Sequence, residues 1–330
     1  MDRSTGSRPS DAGLPDSAEV DSVILSRAAA DIPQPTDRPD LVGAARAVLL
    51  GLVEARPGVQ VMYILRFIVG GMLSEPADLD LGVGIGCAAW FCAIACAYIW
   101  NGYSDIVADR INRSTRPLAS GRLRPAVALR IAAALAAASV LLSIACSMSL
   151  LLHTIGALVL GYAYSFGRHA LKRSPYGVTV TVTLIGLLTF DAGRVAFGGS
   201  VTVGFAAFAA SMVLWMVVGG VVKDLDHLPG DLATGRRPLF AQVDYRHGCI
   251  GVGAAAVLPA ACLVSVAAAT PLPLHAPAGG LIAGAVLLCL CLRRGAGANT
   301  ARARRRPYRT FMCTQYLVHL GCVAEFRLIV

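Results

Sequence analysis

The chain has 330 residues, of which 56% are hydrophobic and 15% charged, and it carries a formal net charge of +9. A soluble globular domain has roughly 25% charged residues, so the composition excludes an ordinary water-soluble fold and points to a polytopic, all-α membrane protein. The positive charge does not indicate nucleic-acid binding, because the basic residues flank apolar runs, where lipid headgroups account for them.

The first 40 residues are rich in Pro, Ser and Asp and lack a continuous apolar core of signal-peptide length. They read as a disordered tail (1–40) ahead of a single membrane domain (41–330). Apolar windows of about 20 residues then predict nine spans, at 57–75, 81–101, 126–145, 148–166, 177–197, 203–222, 248–270, 277–292 and 309–328. Most cysteines fall inside these runs without paired ligand spacing and read as small buried hydrophobes. Lys and Arg collect in the connections after the second, fourth, sixth and eighth spans, so the positive-inside rule places the N-terminus and those connections in the cytosol.

The second span runs into "NGYSDIVADRINRSTRPLASGRL" (101–123). On a helix Asn101, Asp105 and Asp109, spaced i, i+4, i+8, form one stripe of oxygen ligands. Such a stripe suits Mg²⁺, which is usually held by one or two carboxylates plus substrate phosphates. The arginines that follow, Arg113 and Arg116 among them, suit a polyanion, since guanidinium binds phosphate in bidentate fashion. The plainer reading is a set of charges capping a helix as it leaves the bilayer. A second cluster, "VVKDLDHLPGDLATGRRPL" (221–239), argues against that, because it too ends a long span on the same side. It offers Lys223, Asp224, Asp226, His227 and Asp231; Asp224 and Asp231 lie seven apart, but Pro229 and Gly230 leave a shared helical face open.

These stretches resemble the signatures of the UbiA superfamily of intramembrane prenyltransferases. The family's N-x-x-x-D-x-x-x-D followed by N-R-P-x-R-P-L-x-S-G appears as "NGYSDIVAD" and "NRSTRPLASG", with Ser114 replacing the first Pro. Its K-D-x-x-D-x-x-G-D appears as "KDLDHLPGD", with His227 at the middle acidic position. A Tyr-Ser pair with a Lys eight residues after the Tyr appears as Tyr164 and Lys172. The resemblance spans residues 50–330 and implies a bundle of about nine helices around a central cavity open to lipid. By position, Asn101, Asp105 and Asp109 would hold one Mg²⁺, Asp224 and Asp231 a second, and Arg113, Arg116, Lys172 and Lys223 would bind the diphosphate of an isoprenyl substrate.

The activity so implied is Mg²⁺-dependent prenyl transfer from an allylic diphosphate to an aromatic acceptor, a phenol or quinone precursor. A terpene cyclase acting without acceptor is the alternative, and a transporter whose charges only set topology is a more distant one. High Ala, Gly and Arg usage suggests a bacterial cell membrane. Within the spans, Tyr164 reads either as cavity lining or as an interface anchor. Asp191 and Arg194, spaced i, i+3 in the fifth span, read either as a mutual pair or as part of an acceptor pocket, and Arg66 in the first span raises the same question.

Overall fold

The computed structural model describes residues 41–74, 80–295 and 305–329, with the side chains of 41, 224, 226–229, 295 and 327–329 excepted. The expected N-terminal tail therefore lies outside the described residues. Among those described, every regular element is helical, and none is a strand. Hydrocarbon offers no partner for free backbone N–H and C=O groups, and a helix satisfies them within one segment.

The helices are α1 (Leu41–Glu54), α2 (Pro57–Met72), α3 (Leu81–Ser104), α4 (Ile106–Ile111), α5 (Pro125–Cys146), α6 (Met148–Ser165), α7 (Pro175–Ala196), α8 (Val203–Ala233), α9 (Tyr245–Ala269), α10 (His275–Gly295) and α11 (Arg306–Ile329). All nine expected windows are occupied by helices, with α1 and the short α4 in addition. Seven of the helices are long and apolar enough to cross a membrane alone, and α1 with α2, bent by 66°, makes a possible eighth span. Helix α11 occupies the last expected window but carries Arg309, Gln315, His319 and Glu325, too many polar groups to qualify by composition.

Local chemistry sets the breaks. Proline opens α2, α5 and α7, where its missing N–H costs nothing. Ser147 separates α5 from α6 by capping the latter, its Oγ accepting from the Leu150 amide at 3.1 Å. Thr202 starts α8 in the same way and donates its hydroxyl to the Leu73 carbonyl at 2.5 Å, tying that start to the end of α2.

Helix α3 packs against α5 and α6, α7 lies against α2 and α8, and α8 through α11 follow one another side by side until α11 returns to α2. Trp90, Trp215, Phe67, Phe190 and Phe208 are fully buried at these seams. Large apolar side chains such as Leu141, Leu152 and Val257 face outward, as a lipid-facing surface requires. The tightest seam is α2 on α7. A Cβ on Gly193 would collide with the Phe67 carbonyl oxygen, and one on Gly70 with the Phe190 carbonyl oxygen, so two backbones touch where only glycine fits.

A methyl group at either glycine must push backbone rather than a pliable side chain. Gly193→Ala and Gly70→Ala are each expected to lower stability by about 1–3 kcal/mol, read as a lowered unfolding midpoint in detergent. Gly251→Ala, whose Cβ meets nothing within 4 Å, serves as the control and leaves the midpoint unchanged or slightly higher.

Candidate active site

The predicted stripe is not one straight helix. Helix α3 ends at Ser104, Asp105 adopts φ −103°, ψ 7°, and α4 restarts at Ile106. Ser104 Oγ donates back to the Asn101 carbonyl at 3.0 Å, a bond that bends helices. The second motif, where the sequence left the question open, is continuous: α8 runs through Pro229 and Gly230 to Ala233, so Asp224 and Asp231 share one helix. At 31 residues α8 is about 46 Å long, well over the roughly 30 Å of hydrocarbon, and its last turns carry Asp231 past the apolar layer. The side chains of Asp224, Asp226 and His227 lie outside the described ones.

Three motifs distant in sequence converge at this end. Lys172 Nζ, presented by a single 3₁₀ turn at Leu171–Arg173, donates to Asp105 Oδ1 at 2.6 Å and to Ser104 Oγ at 2.5 Å. Asp105 Oδ2 accepts from Asn101 Nδ2 at 2.9 Å. Arg236 Nη1 donates to Asp231 Oδ1 at 2.8 Å, stands 4.0 Å from Asp105 Oδ1, and its Nε donates to the Lys172 carbonyl at 3.1 Å. Gly230 brings the two acidic segments together: its N–H donates to Asn112 Oδ1 at 2.9 Å, and a Cβ there would collide with the Asn112 side chain and the Ala108 carbonyl. Burial opposes the charge on Asp105, but Lys172 and Arg236 outweigh it and hold the carboxyl down to about 2. Burial also lowers the Lys172 ammonium against the pull of Asp105. On Asp231 burial prevails over Arg236, and its carboxyl is raised.

Arg116, expected among the diphosphate ligands, is held by two carboxylates, Asp109 Oδ2 at 2.9 Å and Glu54 Oε1 at 2.6 Å. It also donates to the Glu54 and Tyr98 carbonyls at 3.2 and 3.4 Å, while Glu54 Oε2 accepts from the Leu118 amide at 2.9 Å. Glu54 is fully buried, and this demand for a counterion makes Arg116 a strut that holds Asp109 in place. Gly102 leaves room for the strut, since a Cβ there would collide with both Glu54 Oε1 and Arg116 Nη2. Arg113 is exposed, at φ 52°, and does not line the pocket. Glu54 went unread in the sequence because it precedes the first expected span, although a lone acid ending the apolar run "LVGAARAVLLGLVE" was visible.

A small polar pocket is lined by Arg56, Asp105, Asp109, Lys223, Asp231 and Arg236. Next to it opens an apolar cavity of about 1070 Å³, its mouth included, with Asn101, Lys223 and Tyr164 in its wall. Lys223 lines both spaces. Arg56 adopts φ 60°, ψ 79° at the break between α1 and α2, a left-handed conformation uncommon for a non-glycine residue. Asp191 is absent from both linings: His153 Nε2 and Arg194 Nε bind its carboxylate at 2.7 and 2.5 Å, and Arg194 continues to the Gly199 carbonyl at 2.9 Å. Of the two readings of the fifth span, the structure realises the pair.

Among the described residues no three acid, His or Cys groups form a ready metal cage. The donor set nonetheless fits Mg²⁺, because Asp105, Asp109 and Asp231 line one pocket with oxygen donors only, and Mg²⁺ takes one or two carboxylates and completes its shell with water and phosphate.

Residues 64–318 match the UbiA prenyltransferase family. A digeranylgeranylglyceryl phosphate synthase of Halobacterium salinarum is 31% identical over 229 residues, which cover 68% of this chain and 77% of the relative. One from Methanoregula boonei is 28% identical over 245 residues, covering 74% and 84%. Among solved structures, a UbiA homolog from Archaeoglobus fulgidus bound to GPP and Mg²⁺ superposes with a TM-score of 0.67 at 18% identity, over 84% of this chain and 99% of that one. An apo UbiA homolog from Aeropyrum pernix gives 0.59 at 18% identity, over 81% and 97%. Both structural likenesses establish the fold.

Glu54→Gln strips Arg116 of one of its two carboxylates and is expected to cost about 3–5 kcal/mol, as breaking a buried pair does, read as a large drop in the unfolding midpoint. The pH dependence has a defined sign. A carboxyl held below its unfolded value stabilises the fold above that value, and the contribution is lost as pH falls through the folded value. For Asp105, held down to about 2, the stability gap between the metal-free wild type and Asp105→Asn is therefore expected to close between about pH 4 and pH 2; a gap independent of pH would refute the pairing.

Proposed function

The chain belongs to the UbiA prenyltransferase family, and from that premise we propose that this integral membrane enzyme transfers an isoprenyl group from an allylic diphosphate to a hydroxyl of a phosphorylated glyceryl lipid, with Mg²⁺ as cofactor and with the polar pocket facing the cytosol. One observation carries the reading: a pocket of carboxylates and cations shares Lys223 with an apolar cavity. A charged head and a hydrocarbon tail joined in one molecule need that juxtaposition.

Asp105, Asp109 and Asp231, with Asn101 beside them and Asp224 by motif position, are the residues that would hold Mg²⁺. When bound, the metal supplies charge neutralisation to the departing diphosphate. Arg236, Lys223 and Arg56 line the same space, with Lys172 beside it on Asp105, and their charges serve the phosphate oxygens once the carboxylates are engaged elsewhere. The allylic C–O bond breaks, diphosphate departs, and the acceptor oxygen forms the new C–O bond as its proton passes to an oxygen of the departing diphosphate. The apolar cavity, with Tyr164 in its wall, keeps water from the reacting carbon.

The relatives, digeranylgeranylglyceryl phosphate synthases, support this acceptor over the aromatic one expected from sequence. An aromatic acid remains the second reading on one observation, the tyrosines Tyr63, Tyr98, Tyr164 and Tyr308 around the cavity.

Purified protein incubated with labelled geranylgeranyl diphosphate is expected to prenylate geranylgeranylglyceryl phosphate in a Mg²⁺-dependent manner. Asp105→Ala and Asp231→Ala are expected to lower turnover at least about hundredfold, and chelation to abolish it. Mass-spectrometric detection of a terpene hydrocarbon or alcohol without acceptor would overturn the transferase reading, and product on 4-hydroxybenzoate alone would shift the acceptor to the second reading.

A further inference from the structure

Two polar side chains stand in the wall of the apolar cavity with no role in the chemistry so far. Arg66 of α2 is 4% exposed and Gln315 of α11 is 1% exposed, and both line the cavity. Arg66 Nη2 donates to Gln315 Oε1, and the guanidinium carbon lies 4.9 Å from the centroid of the Tyr63 ring. Arg66 Nε is buried and has no hydrogen-bond partner. Among the described residues no carboxylate lies within 4.0 Å of this guanidinium, unlike Arg116, Arg194 and Arg236. A buried charge is normally paired, because desolvation without a counterion is costly.

The depth of the pair is readable from the helices. Cavity-lining residues run from Asn101 to Ile94 on α3, from Lys223 back to Met216 on α8, from Val59 to Arg66 on α2, and from Tyr308 to Gln315 on α11. Each run is eight residues, a rise of about 10 Å, so Arg66 and Gln315 belong to the floor layer while Asn101 and Lys223 mark the polar rim. A molecule that reacts near the rim and carries an oxyanion one to two helical turns away would place that oxyanion at the guanidinium.

We infer that Arg66 and Gln315 form an anion subsite on the cavity floor that takes the carboxylate or phosphate monoester of the acceptor. The inference rests on the prenyltransfer reading for the identity of its ligand. Guanidinium presents its donors in a rigid fork matched to either group, and the unpartnered Nε is the donor such a group would engage. The subsite selects acceptors by charge and distance, and leaves the isoprenyl tail to the apolar remainder of the cavity.

The test uses the full chain in lipid nanodiscs, without prenyl diphosphate. Calorimetry follows binding of geranylgeranylglyceryl phosphate and of 4-hydroxybenzoate, each beside its uncharged counterpart, the dephosphorylated ether or the methyl ester. The wild type is expected to bind one of the anions at least tenfold more tightly than its counterpart; the phosphate arm and the carboxylate arm identify the source. Arg66→Gln is expected to erase that ratio, and Arg66→Lys to restore part of it. Arg66→Met is expected to raise the unfolding midpoint of the ligand-free protein, because it removes an uncompensated buried charge. Should Arg66→Gln fail to bind geranylgeranyl diphosphate, Gln315→Leu carries the same expectation of a reduced ratio. Equal binding of charged and uncharged ligands by the wild type, or a ratio unchanged in the variants, overturns the subsite. Absence of prenyl transfer with the ratio intact overturns the transferase reading and leaves the subsite standing.

Discussion

The ion pair between Asp105 and Lys172 holds the polar end together. Removing both groups from water is costly, and each repays the other only when three chain segments meet: the kink after α3, the 3₁₀ turn before α7, and Arg236 beyond α8, which bonds the Lys172 backbone while serving Asp231. The second pairing, Arg116 between Asp109 and Glu54, fastens the start of the bundle to the same place. Placement of the acidic motifs thus depends on cations that the linear sequence files under topology signal.

That dependence explains what could be read in advance. The spans were legible because apolar length is a one-dimensional property, and the convergence of Asp105, Asp231 and Lys172 was legible as motif. The partnership of Arg116 was not, since Glu54 lies 62 positions away in a helix ahead of the expected spans. The interruption at Asp105 and the continuity of α8 through Pro229 and Gly230 both ran against local rules. A serine back-bond broke the first helix, while packing of Gly230 on Asn112 and Ala108 carried the second through. The pairing of Asp191 with Arg194 was one of two readings open to the sequence; its second partner, His153, sits on the neighbouring helix, 38 positions away, and was not legible.

Below the polar end, the cavity owes its shape to contacts that admit no side chain. Gly70 and Gly193 bring the α2 and α7 backbones together, and the same α2 presents Arg56 at the polar pocket and Arg66 on the cavity floor. This helix and its N-cap thereby bring one cation to the polar pocket and another to the apolar cavity, with the register fixed by a backbone-to-backbone contact.

Two carboxylates of the polar pocket are already paired as it stands: Lys172 covers Asp105, and Arg236 covers Asp231. A metal ion arriving alone would strand the displaced cations, and a diphosphate arriving alone would strand the displaced carboxylates. Under the proposed prenyl transfer, a cation and a diphosphate arriving together would leave each of these four groups with a new partner, so the ion pairs act as placeholders for the two ligands.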